Sequence, residues 1–161
     1  MKGNEKVIAT LNFLLADELT AVSQYMVHSE MCNNWGYARL HKAVEGRAMD
    51  EMKHAEKLMG RIIFLEGMPV VSKINPMHVG SSVEEQIGYD HEAEAGAVKN
   101  YNEAIKEARE LGDNGTRDLL VSILKDEEPR GPARPDRPDG RPDVPLYPGK
   151  GITLGLKNAD I

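Results

Sequence analysis

Cysteine is almost missing from this sequence. Cys32 is the only one in 161 residues, which excludes an intramolecular disulfide and any metal site built on a cysteine cluster, and points to a reducing compartment, the cytoplasm. Cys32 itself reads as inert packing. Aromatic residues are scarce at 5%, which disfavours a β-sandwich and favours a helical protein. No apolar run approaches the roughly 18 residues that span a membrane, so no membrane partner is expected. The opening Met1-Lys2-Gly3-Asn4-Glu5 leads straight into an amphipathic pattern and lacks the apolar core of an export signal. Positive charge is in deficit: the formal net charge is −6, which argues against nucleic acid as the main partner, because phosphate binding needs a basic footprint.

The average hides two kinds of polymer. Residues 1–128 hold 14 Lys+Arg against 22 Asp+Glu, a net of −8, and only two of the nine prolines. Residues 129–161 hold the other seven prolines and six Lys+Arg against four Asp, a net of +2. The first part is long enough for one domain with a buried core. The second has the composition of a basic, proline-rich tail that does not fold.

Within the first part, Val7, Leu11, Leu14, Leu15, Leu19, Val22 and Met26 recur at three and four, which predicts a helix from about Glu5 to Asn34. After the break at Asn33, Asn34 and Gly36, a second pattern runs from about Tyr37 to Leu65 and stops at Gly67 and Pro69. Residues 67–82 have no periodicity and form a connection. A third helix spans about Ser82 to Leu111, with Ser81 or Ser82 as N-cap and Glu84 and Glu85 in the first turn, where negative charge suits the helix dipole. A fourth starts near Thr116, past Gly112, Asp113, Asn114 and Gly115.

Short links make helices one and two, and three and four, antiparallel hairpins. A helix of about 28 residues is roughly 42 Å long, and the 67–82 connection, extended, reaches about 50 Å. It can therefore run the length of the bundle and start helix three at the same end as helix two. The expected fold is all-α, a four-helix bundle with one long crossover, the ferritin-like arrangement.

Acids stand where core residues are due. Glu18 lies on the face of Leu11, Leu14, Leu15, Val22 and Tyr25; Glu51 and His54 share a face of helix two with Ala48, Ala55 and Leu58. Glu94 lies on the stripe of Ile87, Val98, Tyr101 and Ile105, and Glu127 follows Ile123 and Leu124 by one turn. Any one glutamate on a helix is most often a solvated surface group. One inward carboxylate on each of four consecutive helices, with a Glu-x-x-His pair on one, is a different matter. An unpaired buried carboxylate costs several kcal/mol or is neutralised, and a pair of divalent metals removes the repulsion. Carboxylates with an occasional imidazole suit iron or manganese. Two metals about 3.5 to 4 Å apart can hold an oxygen species between them. Met49, Met52 and Met59 form a stripe rotated away from Glu51, more typical of packing than of a cofactor site. His28, His41, His78 and His91 have no partner pattern and read as surface residues.

Over residues 1–128 the sequence resembles the bacterioferritins, the haem-containing ferritins of bacteria. The resemblance lies in Met1-Lys2-Gly3, Glu18-Leu19-Thr20-Ala21-Val22-Ser23-Gln24-Tyr25, Asn34-Trp35-Gly36, Asp50-Glu51-Met52-Lys53-His54-Ala55 and Arg61-Ile62-Ile63-Phe64-Leu65-Glu66-Gly67. It implies a cytoplasmic 24-subunit shell, built from dimers, that oxidises Fe(II) with O2 or H2O2 at a di-iron centre in each subunit and stores ferric mineral inside. Glu18, Glu51, His54, Glu94 and Glu127 would then be iron ligands, with Glu51 and Glu127 bridging. Met52 would ligate haem b together with Met52 of a neighbour. Tyr25 and Trp35 stand where the family has redox-capable aromatics.

The departures from the family pattern concern the same chemistry. Arg130 occupies the place of a second Glu-x-x-His histidine and cannot ligate iron, and Pro129 stops or kinks the helix. Gly46 and Arg47 replace residues that are His or acidic in the family, although Asp50 remains. Pro129-Arg130-Gly131 can be written CCA CGT GGA, which one base later permits CAC GTG GA, His-Val followed by an acid, so a frameshift just after Glu128 is the expected origin of the tail. The alternative function is a non-catalytic haem-binding shell subunit that co-assembles with an active partner. A rubrerythrin-like protein needs cysteine pairs, which one cysteine excludes.

Overall fold

The first helix, α1 (Glu5–Asn34), begins where Asn4 Oδ1 accepts the Lys6 N–H at 2.8 Å, a cap for donors that have no partner within the helix. It ends at Trp35 and Gly36, whose φ of 85° is the left-handed conformation glycine adopts without penalty. Helices α2 (Ala38–Phe64), α3 (Val83–Glu110) and α4 (Asn114–Glu127) follow. This computed structural model describes residues 2–127. The expectations about Arg130, the proline-rich tail and its reading frame fall outside the described residues. Among those described, no helix is long and apolar enough to cross a membrane.

Side-chain bonds set the direction of every element. Asp17 to Asn100 and Gln24 to Asp90 run α1 against α3. Ser29 to His41 and Glu18 to His54 run α1 against α2, and Arg61 to Asp113 and Lys57 to Asp126 run α2 against α4. Helices α2 and α3 are therefore parallel, as the long connection requires. That connection is a strap along α1: the Val70 N–H donates to Asn12, the Asn75 N–H to Thr20, the His78 N–H to Gln24 and the Gly80 N–H to His28. From Asn12 to His28 the strap covers about 24 Å of helix. The expected bundle, two antiparallel hairpins joined by a long crossover, is the fold observed.

Ser82 is the N-cap of α3 and accepts the Glu85 N–H, with Glu84 and Glu85 in the first turn as expected. At the start of α4 the capping residue is Asp113, which the sequence reading treated only as part of a turn. Its Oδ1 accepts the Thr116 N–H at 2.9 Å and the Arg61 Nη2 at 2.8 Å. Burial alone would push this carboxyl up. The bonds from Thr116 and the charge of Arg61 outweigh burial and hold it below the ordinary 3.8. A carboxyl depressed by folding stabilises the fold above its ordinary value and loses that contribution as pH falls through its folded one. Asp113→Ala is expected to cost about 1–2 kcal/mol at neutral pH, with the gap to the parent narrowing on acidification below 3.8; thermal melts across pH check this.

The apolar core comes in two clusters. One gathers Leu11, Leu14, Leu15, Leu58, Ile62, Leu120 and Ile123; the other gathers Tyr25, Cys32, Leu40, Val44 and Ala48. Along α1 they are separated near Glu18, and along α2 near Glu51 and His54. Cys32 is fully buried, donates to Gln86 Oε1 at 3.3 Å and has its thiol pushed up to about 11 by burial and by the nearby Asp90. It stays a thiol at neutral pH, as its reading as packing expects.

Candidate metal centre

Glu18 on α1 and Glu51 and His54 on α2 are each at most 4% exposed. Helical spacing brings them together: Glu51 and His54 are three residues apart on one face, and the antiparallel α1 sets Glu18 opposite. The three offer ligand atoms that all lie within 4.8 Å of one another. His54 Nδ1 is 3.0 Å from Glu51 Oε2 and 4.0 Å from Glu18 Oε2. Tyr101, on α3, donates its hydroxyl to Glu18 Oε1. Two buried carboxylates facing an imidazole form a donor set for a divalent cation of the iron or manganese kind.

Of the other two expected ligands, Glu94 stands outside this group and Glu127 has no described side chain. Glu94 on α3 is mostly buried, but Arg47 Nη2 holds its Oε1 at 2.5 Å and lies 3.6 Å from Glu51 Oε1. Glu94 lines the same cavity as Glu18 and Glu51 without joining the Glu18, Glu51, His54 group. Glu127 is the last described residue of α4, and its side chain is outside the described ones. Among the described side chains of α4, Asp126 comes near the centre, its Oδ2 3.5 Å from His54 Nε2 and 3.4 Å from Lys57 Nζ. Asp126 was missed because it is half exposed and off the apolar stripe. Arg47 was read only as a departure from a family pattern. Its position one turn before Glu51 was the signal that it belongs to the site.

Tyr25 is buried and lines a cavity of about 340 Å³ with Glu18, Glu51, Glu94, Tyr101, Asn75 and His78. Asp17 is on the same wall; burial pushes its carboxyl up against the opposing bonds from Asn100 and Asn75. Trp35 lies past the end of α1, 36% exposed, about 25 Å along the chain direction from Glu18. Met52 is 41% exposed on α2, near the exposed Met49, so its thioether is open to a group bound at the surface.

His28 needs a correction. It is not a surface residue: it is fully buried, donates from Nδ1 to Asp90 Oδ1 at 2.8 Å and accepts the Gly80 N–H at Nε2. The acceptor role of Nε2 sets the neutral tautomer. Gln24 Nε2 donates to the same Asp90 oxygen at 3.0 Å. His41 is half buried against Ser29, whereas His78 and His91 are exposed as read.

A family model described as ferritin-like domain matches residues 8–130. A bacterioferritin of Rhodobacter capsulatus is 41% identical over 128 residues, 80% of each chain. One of Brucella melitensis has the same identity and coverage. A bacterial ferritin of Synechocystis is 40% identical over 128 residues, 80% of this chain and 82% of its own.

Proposed function

Because the chain belongs to the bacterioferritins, within the ferritin-like family, we propose that it stores iron and oxidises Fe(II) at the centre built on Glu18, Glu51 and His54. The observation that carries this reading is the buried convergence of those three side chains, whose ligand atoms lie within 4.8 Å of one another. Buried carboxylates left without cations repel, and Fe(II) is the substrate that relieves them. Two Fe(II) give two electrons to H2O2, which takes up two protons and leaves as two waters; with O2 as the oxidant, two Fe(II) and two protons give H2O2, which a second pair of Fe(II) reduces to water. Carboxylates suit both iron charge states because they are hard oxygen donors. The imidazole adds one neutral ligand, and its Nε2 side faces Asp126, which fixes the ring's orientation. Tyr101 orients Glu18. Glu94 and Glu127 complete the expected di-iron ligand set, and Tyr25 stands in the cavity wall as a redox-capable neighbour.

The shell of 24 subunits and its cytoplasmic location belong to the same proposal. So does haem b, which Met52 and the Met52 of a neighbouring subunit would hold through their thioether sulfurs; a thioether on an exposed helix face fits that role. Haem serves as an electron carrier when bound. Met52→Ala is expected to abolish the haem absorbance of protein supplied with haem and to leave Co(II) uptake at the Glu18 centre intact.

The deciding experiment is anaerobic Fe(II) loading followed by O2 or H2O2, watched by ferric absorbance. Fast oxidation lost in Glu18→Ala supports the reading. No fast oxidation in the parent, together with haem absorbance lost only in Met52→Ala, identifies a haem-binding shell subunit instead. For residues 129–161 we propose a frameshifted origin; resequencing of the gene and an intact mass test it, and an unbroken reading frame with a matching mass overturns it.

A further inference from the structure

Glu51 presents its two carboxylate oxygens to two different basic side chains. Oε2 faces His54 Nδ1 at 3.0 Å, on the side of Glu18. Oε1 faces Arg47 Nη2 at 3.6 Å, and the same nitrogen holds Glu94 Oε1 at 2.5 Å. Arg47 is an interior group here, its side chain 21% exposed against 17% for Glu94 and 3% for Glu51. A guanidinium carries its charge at every accessible pH and makes directional bonds to carboxylates. We propose that Arg47 is a built-in cation that occupies the second half of the metal centre, so that the centre loads divalent cations in two unequal steps.

Charge balance supports this. Among the described side chains of the centre, Glu18, Glu51 and Glu94 contribute three negative charges, and Arg47 offsets one. The remainder equals the charge of one divalent cation, while Asp126 is balanced by Lys57. The first cation takes Glu18, Glu51 Oε2 and His54, whose ligand atoms already lie within 4.8 Å of one another. A second must draw Glu94 and Glu51 Oε1 away from Arg47, breaking a mostly buried ion pair before it gains a ligand. Arg47 thus acts through Glu94 and Glu51 and is a positioning residue.

The inference rests on the metal-centre reading above, and the test separates the two. Co(II), which O2 does not oxidise under these conditions, is titrated into the full chain, with visible absorption reporting the ligands and equilibrium dialysis the stoichiometry. The parent is expected to take up one equivalent per subunit tightly and a second at least about tenfold more weakly, the scale on which neighbours of metal ligands change affinity. Arg47→Gln is expected to bring the second equivalent to within about threefold of the first, and Arg47→Lys to keep the steps unequal. Far-UV circular dichroism checks that each variant is helical. A parent that fills both positions in one step overturns the proposal without any variant, and so does an Arg47→Gln protein that keeps unequal steps. If Glu18→Ala takes up Co(II) as the parent does, or the parent takes up none, the metal-centre reading itself fails and the proposal with it.

Discussion

Glu51→Ala is expected to slow Fe(II) oxidation by more than about 100-fold, because loss of mere neighbours of metal ligands already costs about 10- to 100-fold. Glu51 is 3% exposed and is the one carboxylate that faces both His54 and Arg47. Alanine removes a ligand oxygen from the side of Glu18 and His54 and loosens Arg47 on the other. Far-UV circular dichroism of the metal-free variant separates a lost ligand from lost folding, because alanine also removes a partner of His54 and Arg47. A rate within threefold of the parent, measured by stopped-flow ferric absorbance at saturating Fe(II), would remove Glu51 from the centre.

Asp90→Ala is expected to be the most damaging change away from the centre, at about 3–5 kcal/mol. Asp90 is 1% exposed and accepts from both His28 and Gln24. Without it, the His28 Nδ1–H and one Gln24 amide hydrogen are left buried without an acceptor, and the strap loses support because Gly80 and His78 hang on the same two side chains. Most of the cost is that of stranding buried polar groups, so His28→Leu combined with Asp90→Leu is expected to be milder than Asp90→Ala alone. Guanidinium chloride midpoints of the metal-free proteins check the order. If Asp90→Ala melts with the parent, the network does not hold the strap.

Much of the fold could be read directly. Apolar residues at three and four, with breaks at Gly36, Gly67 and Gly112, set out the helices, and the 67–82 connection dictated that α2 and α3 run parallel. Glu18, Glu51 and His54 were legible because buried acids violate the apolar pattern, and no structure is needed to see a violation. His28 and Asp90 were not legible. Each fits its helix without disturbing the stripe, and they are 62 residues apart in sequence, so only packing of α3 on α1 makes them partners. Arg47 is legible in part: its place one turn before Glu51 can be read from the sequence, but only packing of α3 sets Glu94 against it.

By itself, then, the sequence determined the helical class, the crossover topology and the inward placement of Glu18, Glu51 and His54, because each follows from periodicity or chain length, which are local properties. Only the tertiary structure decided that Arg47 claims Glu94, that Asp126 comes within 3.5 Å of His54, and that a buried histidine ties down the strap. Those facts depend on which side chains from distant segments share one small volume, and Coulomb and hydrogen-bond energies are set by that distance rather than by separation along the chain.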